Sequence, residues 1–388
     1  MQKDLRKKTK YLMTPGPVEI SPRTLRALSL PVTHHYDPEF ITFFQDTTEK
    51  LQRIFQTKKD LIIMQGEAVL GLEAAVANIL NRGDRVLVLD NGPYGAWFGI
   101  YVENHGGEVV RLREDYTKAI APEKVKKKLE DEKDIKAITV VHMDTPVGIT
   151  NPVEKICALA KQFDILTIVD SVAALGGMEI RPDEWNIDIC ICGSQKCLSC
   201  PPALTPISVS TRAWEAMENK KNPLRNTYLS MLDYRETWIK SRTFPFTPFV
   251  SEIYAINEAA TEILEEGLEN IFARHKKVAR AIREAVQAIG LELWPESEEI
   301  ASETVTTVCI PDGIDDERLR RTMADEYGVL IAGEVTGFES KIIRIGHMGY
   351  SATIDNALVA ITALEKALQK LGFQVKIGSG VERVLHYV

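Results

Sequence analysis

Leu166-Thr167-Ile168-Val169-Asp170 and Ile191-Cys192-Gly193-Ser194-Gln195-Lys196-Cys197-Leu198 are the two stretches that decide how this chain is read. Each begins as a short apolar run and ends on an ionisable group. Runs of this length, rich in β-branched side chains and bounded by polar residues or glycine, read as buried strands. Asp170 precedes Lys196 by 26 residues, about the length of one further β/α unit. The two strands are therefore expected in one parallel sheet, with the carboxylate and the amine at the same end.

Working outward, runs rich in valine and isoleucine recur at 60–64, 85–90, 109–112, 137–142, 187–192 and 204–209, separated by longer amphipathic segments. That alternation predicts a doubly wound α/β domain whose mostly parallel sheet is buried on both faces, covering residues 14–257. Polar residues stand where the runs end: Gly66-Glu67, Asn91-Gly92-Pro93-Tyr94, His142-Met143-Asp144-Thr145, Asp170-Ser171 and Ser194-Gln195-Lys196. Ligands of open α/β sheets bind outside the carboxyl ends of the strands, so these residues should converge on one pocket. Beyond residue 258 the pattern changes to a long helix through 280–289, a strand at 304–310, a helix at 315–327, a strand at 341–345 and a last helix near 355–371. This predicts a smaller α+β domain over 258–388, completed by residues 1–13. A length of 388 residues agrees with two domains, since a single core usually stops growing below that size.

Composition narrows the function. An apolar share of 45% supplies a large core and excludes a disordered chain. The net charge of −8 comes without a basic stripe, which argues against nucleic acid and against a membrane surface and leaves small metabolites as partners. No apolar run reaches the roughly 20 residues that span a bilayer. The charged start, 1–10, has no apolar stretch behind it, so a cytoplasmic protein is expected. Of six cysteines, Cys190 and Cys192 alternate along an apolar run, and only Cys197 and Cys200 have CxxC spacing. Zinc knuckles bring two separated CxxC pairs, so buried free thiols are expected here and no metal.

An amine at the end of a buried strand is costly to keep charged. Desolvation lowers its pKa and makes it nucleophilic, which suits imine formation with an aldehyde. The plainer alternative for Lys196 is an ammonium that snorkels to water or pairs with a carboxylate. Asp170 favours the first reading, because pyridoxal chemistry needs a lysine for the aldehyde and an acid that keeps the ring nitrogen protonated. A helix N-cap is its other role. Tyr94 could stack on a flat ring or anchor its loop, and Thr145 could bond a ring hydroxyl or cap the next helix. Arg344 interrupts the apolar stretch Lys341-Ile342-Ile343-Arg344-Ile345-Gly346 with a fork suited to a substrate carboxylate, or to an internal salt bridge.

Thr14-Pro15-Gly16-Pro17, Val169-Asp170-Ser171-Val172 with Gly176-Gly177, Gly193-Ser194-Gln195-Lys196 and Arg344-Ile345-Gly346 resemble the class V aminotransferases of the alanine–glyoxylate and serine–pyruvate type. The resemblance runs over nearly the whole chain. It implies a fold-type-I architecture and a homodimer, with a tetramer as the further option, whose sites lie at the subunit interface. It also implies Lys196 as the imine lysine, Asp170 at the ring nitrogen, Tyr94 stacked on the ring and Arg344 on the substrate carboxylate. Within the family, the chain is most similar to the pyridoxamine–pyruvate subgroup, which takes the unphosphorylated vitamin as a substrate. Tyr36-Asp37-Pro38, Gly66-Glu67-Ala68-Val69-Leu70-Gly71-Leu72-Glu73, Asp144-Thr145-Pro146, Phe244-Pro245-Phe246-Thr247-Pro248 with Ser251-Glu252, and Ile345-Gly346-His347-Met348-Gly349 carry that likeness.

Phosphate-using relatives place small or neutral residues at the turn where Glu67 stands, and the helix N-terminus cradles the phosphate. In a dry site a carboxylate there would repel the phosphate by several kcal/mol, on the order of 4 kcal/mol per pair of unit charges at about 4 Å. The same carboxylate accepts a hydrogen bond from a neutral hydroxymethyl group. An ordinary first-turn glutamate is the plainer reading. Phe244 lacks the phenol that relatives extend across the dimer to the phosphate, whereas Thr247 and Gln195 could still serve one. The subgroup carries a second arginine shortly before the Arg344 position. Ala332-Gly333-Glu334-Val335-Thr336-Gly337 has none, which leaves the keto-acid partner open. The expected reaction is pyridoxamine + pyruvate ⇌ pyridoxal + L-alanine, with the ring bound as a substrate. The alternative is a conventional pyridoxal 5′-phosphate enzyme acting on alanine, serine or a ureido-amino acid with glyoxylate or pyruvate. A desulfurase would need a reactive cysteine on a mobile loop, and these cysteines sit mostly in apolar or lysine-proximal sequence.

Overall fold

The computed structural model describes residues 11–333 and 341–388. All seven expected runs of the first domain become strands of one sheet: β1 (Asp60–Gln65), β2 (Arg85–Asp90), β3 (Glu108–Arg113), β4 (Ile135–Val141), β5 (Leu166–Asp170), β6 (Ile189–Ile191) and β7 (Leu204–Val209). Their spatial order is β1-β7-β6-β5-β4-β2-β3. Only β7 runs antiparallel to its neighbours, β1 and β6. The run expected at 187–192 shortens because Asp188 leaves the strand to accept hydrogen bonds from the Thr167 N–H and the Ser210 hydroxyl.

Both faces of the sheet are covered, by α1 (Pro38–Ile54), α4 (Pro122–Asp131) and α5 (Val153–Gln162) on one side and by α2 (Ala68–Ile79) and α3 (Pro93–Asn104) on the other. Strand β1 shows why its run is continuously apolar: Leu61 and Ile63 enter the core beneath α1, and Ile62 and Met64 enter the opposite core beneath α2. The edge strand β3 has only one packed face, and its residues alternate between buried and exposed.

The smaller unit is α+β. Strands β8 (Val305–Cys309) and β9 (Ile342–Gly346) pair antiparallel and pack with the long helix α7 (Leu268–Ala288), which follows α6 (Val250–Glu266), and with α8 (Asp316–Tyr327) and α9 (Ile354–Lys370). Tyr11 and Leu12 pair with Val329 and Leu330, and Met13 joins the small core, as expected of the chain's start; residues 1–10 lie outside the described residues. A division after residue 257 falls inside the unbroken helix α6, whose Ile256, Ala260 and Ile263 belong to the large core, as does Ile271 of α7. Val278 of the same helix belongs to the small core. We place the change of core within α7, between these two side chains. Among the described residues no helix is long and apolar enough to cross a membrane.

Strands β1 to β6 all point the same way, so their carboxyl ends share one rim. The N-terminal segment reaches that rim by crossing β9 at Gly346, whose N–H donates to the Met13 carbonyl at 2.8 Å. A Cβ at Gly346 would lie 2.1 Å from the Thr14 carbonyl oxygen, so this crossing requires glycine.

Candidate active site

Beyond β6 the chain turns sharply, and the turn is closed by Ser194, whose hydroxyl donates to the Pro201 carbonyl and whose carbonyl accepts from the Cys200 N–H. This geometry drives Lys196 inward, leaving it 8% exposed. Its Nζ donates to the Pro15 carbonyl at 2.5 Å. Burial lowers the amine to about 8; the Arg344 charge adds to the effect, while Glu67 and Asp170 oppose it. A neutral amine is thus available near physiological pH, and the snorkelling alternative is not what the chain adopts.

The motif Thr14-Pro15-Gly16-Pro17 is the opposite wall of that amine. Gly16 has φ +106°, and a Cβ there would come within 2.6 Å of both Cδ and Nζ of Lys196. Gly16→Ala is therefore expected to displace the amine and lower kcat by roughly a hundredfold, since a displacement near 1 Å costs that much. Steady-state turnover beside an unchanged circular dichroism spectrum checks it.

Asp170 is the last residue of β5 and is 4% exposed. One oxygen accepts the Val172 N–H at 2.9 Å, so the capping role is real. The other, Oδ2, makes no hydrogen bond among the described residues. Burial raises this carboxyl to about 7, against the lowering influence of the Val172 N–H and of Lys196. A cationic N–H facing Oδ2 would restore the ionised form.

Lys196 and Asp170 line one cavity of about 310 Å³ together with Glu67, Tyr94, Thr145, Met143 and Val172. Tyr94 is the second residue of α3, half-buried, with its ring edge-on to Trp97 at 4.9 Å. Thr145 is buried in the hairpin after β4, and its hydroxyl makes no bond to the protein among the described residues. The cavity thus offers a flat phenol wall, a free buried carboxylate oxygen, a hydroxyl and a neutral amine. These are the groups that a substituted pyridine aldehyde requires.

Glu67 occupies the N-cap of α2 and accepts the Val69 N–H at 3.0 Å. Its Oε1 also accepts from the Gln195 side-chain amide, whose own carbonyl oxygen is buried without a partner. The first-turn role and the cavity-lining role coincide. In the single chain Glu67 is exposed rather than dry, so water screens its charge more than the sequence suggested.

Arg344, on β9, is 7% exposed and is not in an internal salt bridge among the described residues. Its Nε donates to the Gly333 carbonyl at 2.7 Å. Its charge acts on Lys196, Tyr94 and Asp144, which places it within electrostatic reach of the cavity. Ala332 exchanges two backbone hydrogen bonds with Arg344. Of the stretch that lacks a second arginine, residues 334–337 lie outside the described residues.

Two expected ring contacts stand apart from the cavity. Phe244 packs in the large core against Phe40, Phe44 and Trp238, with centroids 5.0 to 6.0 Å away, because an apolar ring beside α1 buries more area there than in a polar cleft. Thr247 is exposed on the following turn. Within one chain neither touches Lys196.

Asp144, Met143 and Val172 are the participants that residue type alone did not single out. Met143 and Val172 carry no polar signal, while Asp144 stood in a quoted motif without a role. Cys190, Cys192, Cys197 and Cys200 are buried free thiols, and burial pushes the Cys197 thiol up to about 12, far from a reactive thiolate. A larger cavity, about 720 Å³, lies behind Cys197 and Ser199. Its charged groups are paired with one another, Arg23 with Glu265 and Arg274 with Glu266, and it holds no nucleophile free to act.

Comparison with known proteins agrees with this site. The Aminotransferase class-V family matches residues 25–352. The chain is 40% identical over 378 residues to the pyridoxamine–pyruvate transaminase of Mesorhizobium japonicum, covering 96% of this chain and 95% of that one. It is 32% identical over 393 residues to the (S)-ureidoglycine–glyoxylate transaminase of Bacillus subtilis, covering 96% and 94%. The crystal structure of pyridoxamine–pyruvate aminotransferase from Mesorhizobium loti superposes with a TM-score of 0.96 at 37% identity, covering 100% of this chain and 99% of that one. The chain belongs to the class V aminotransferases of fold type I, which move amino groups between small amino and keto acids.

Proposed function

We propose that the protein transfers the amino group of pyridoxamine to pyruvate, giving pyridoxal and L-alanine. The observation that carries this reading is Glu67, a carboxylate seated at the helix N-terminus where a phosphate would otherwise bind, and tied to Gln195. A neutral hydroxymethyl group can donate to that carboxylate; a phosphate dianion is repelled by it.

The residues divide the work. Lys196 captures the aldehyde with its neutral amine and, once released, carries the proton between the substrate carbon and the ring-bearing carbon as base and then acid. Asp170 holds the proton on the ring nitrogen with the carboxylate oxygen that Val172 leaves free. The bound ring itself supplies an electron sink. Tyr94 covers one ring face, Thr145 bonds the ring hydroxyl, and the unpaired guanidinium nitrogens of Arg344 hold the substrate carboxylate. The working unit is a homodimer in which the exposed Thr247 and its loop meet the partner's site.

One observation favours a conventional phosphate-bearing cofactor instead: Glu67 is exposed in the single chain and thus partly screened. A single comparison separates the two. The unaltered protein should turn over pyridoxamine with pyruvate and prefer it to pyridoxamine 5′-phosphate. Glu67→Ser should improve kcat/KM for the phosphate ester by about tenfold or more, a screened fraction of the full repulsion. No pyridoxal from pyridoxamine, or no gain for the ester in the variant, would rule this reading out.

A further inference from the structure

We propose that Asp144 is a positioning residue that sets Tyr94 against the ring, acting from the hairpin through the start of helix α3; the inference rests on the reading of Tyr94 as the ring-stacking side chain.

Helix α3 begins without a cap of its own. Its N-cap is Gly92, which has no side chain to offer, and Pro93 at the first helical position has no N–H. The orphan donors that remain are the N–H groups of Tyr94 and Gly95. Both point at one atom, Oδ2 of Asp144, at 3.0 and 3.3 Å, from a residue about 50 positions further along the chain. Gly92 is fully extended, a conformation any residue adopts, so its backbone does not explain the glycine. Asp144 does: a Cβ at position 92 would lie 2.3 Å from Oδ2 and 2.5 Å from Cγ. Glycine and aspartate thus form one unit.

The unit is more costly than a helix cap needs to be. Asp144 is 0% exposed, and its Oδ1 has no hydrogen-bond partner. A serine or asparagine would satisfy the same N–H groups without burying a carboxyl. Burial accordingly raises this acid to about 7, eased by the two N–H donors and by the Arg344 charge. What the carboxylate adds is a rigid, charge-assisted tie between two walls of one cavity. Met143 and Asp144 pair with Thr150 and Ile149, which fixes the hairpin that carries Thr145. From there Oδ2 grips the backbone of Tyr94 itself. Thr145 and Tyr94 both line the cavity with Lys196. The distance between hydroxyl and phenol is therefore set by Asp144, although Asp144 is not itself among the cavity's lining residues.

The test uses the whole protein with pyridoxamine and pyruvate. Asp144→Ala and, independently, Gly92→Ala should raise KM for pyridoxamine about tenfold, the scale of a lost aromatic stacking contact. KM for pyruvate and kcat should change by less than about threefold, and Asp144→Asn, which keeps an acceptor oxygen, should restore most of the lost affinity. Tyr94→Ala serves as the reference. If it leaves KM for pyridoxamine unchanged, the stacking role of Tyr94 fails, and this inference fails with it. If Tyr94→Ala weakens pyridoxamine but both Asp144→Ala and Gly92→Ala leave it unaltered, Asp144 has no positioning role. Equal losses in kcat and in both KM values, shared by Asp144→Asn, would show ordinary structural damage and would equally overturn the proposal. Should Asp144→Ala fail to fold, Gly92→Ala decides alone.

Discussion

Lys196→Ala is expected to lower kcat roughly a thousandfold or more while the protein stays folded. Two functions converge on this amine. It captures the aldehyde, and it moves the proton that converts one amine into the other, a step for which a positioned acid–base group supplies about 10² to 10⁴. The structure makes the effect specific, because no other lysine lines the cavity. Stability should change little, since the amine's burial already opposes its charge. The bond lost to the Pro15 carbonyl is worth about 1 kcal/mol. Lys196→Arg should be as inactive as the alanine variant, because a guanidinium stays protonated at any working pH. Turnover near the wild-type rate in either variant, measured by pyridoxal formation, would mean another group does the chemistry.

Asp170→Asn is expected to lower kcat by about 10² to 10³, the range seen when one electrostatic contact to developing charge is removed. Asparagine keeps an oxygen for the Val172 N–H, so the local turn survives. What disappears is the negative charge opposite the ring nitrogen. The empty protein should at the same time become more stable at alkaline pH, and the sign follows from the shift. The folded carboxyl is raised from 3.8 to about 7, so it binds its proton more tightly than the unfolded chain does. Its ionisation therefore destabilises the fold progressively from about pH 4 to 7, and the penalty persists above. An uncharged side chain removes that penalty. Thermal melts at pH 5 and pH 8, with no ring compound added, should show a gain for the variant only at the higher pH.

The sheet was legible because its strands are buried on both faces. Ile62 and Ile63 point into different cores, and both must be apolar, which is what marks the run. Lys196 and Asp170 were legible for the opposite reason, as ionisable groups where burial is costly. Phe244 was not. Its type and its likeness to a ring contact said nothing of α1, whose Phe40 and Phe44 claim it. The border between the cores was equally hidden, because α6 and α7 keep helical periodicity while changing the core they serve. Asp144 escaped notice because its partners are backbone N–H groups, which leave no mark in the sequence of side chains.

Trapping with borohydride tests the central assignment most directly. Reduction of the protein mixed with pyridoxal, followed by digestion and mass analysis, should leave the pyridoxyl mass on the peptide containing Lys196 and should leave Lys196→Ala unlabelled at that peptide. Label spread over surface lysines, with position 196 unmodified, would contradict the account at its root.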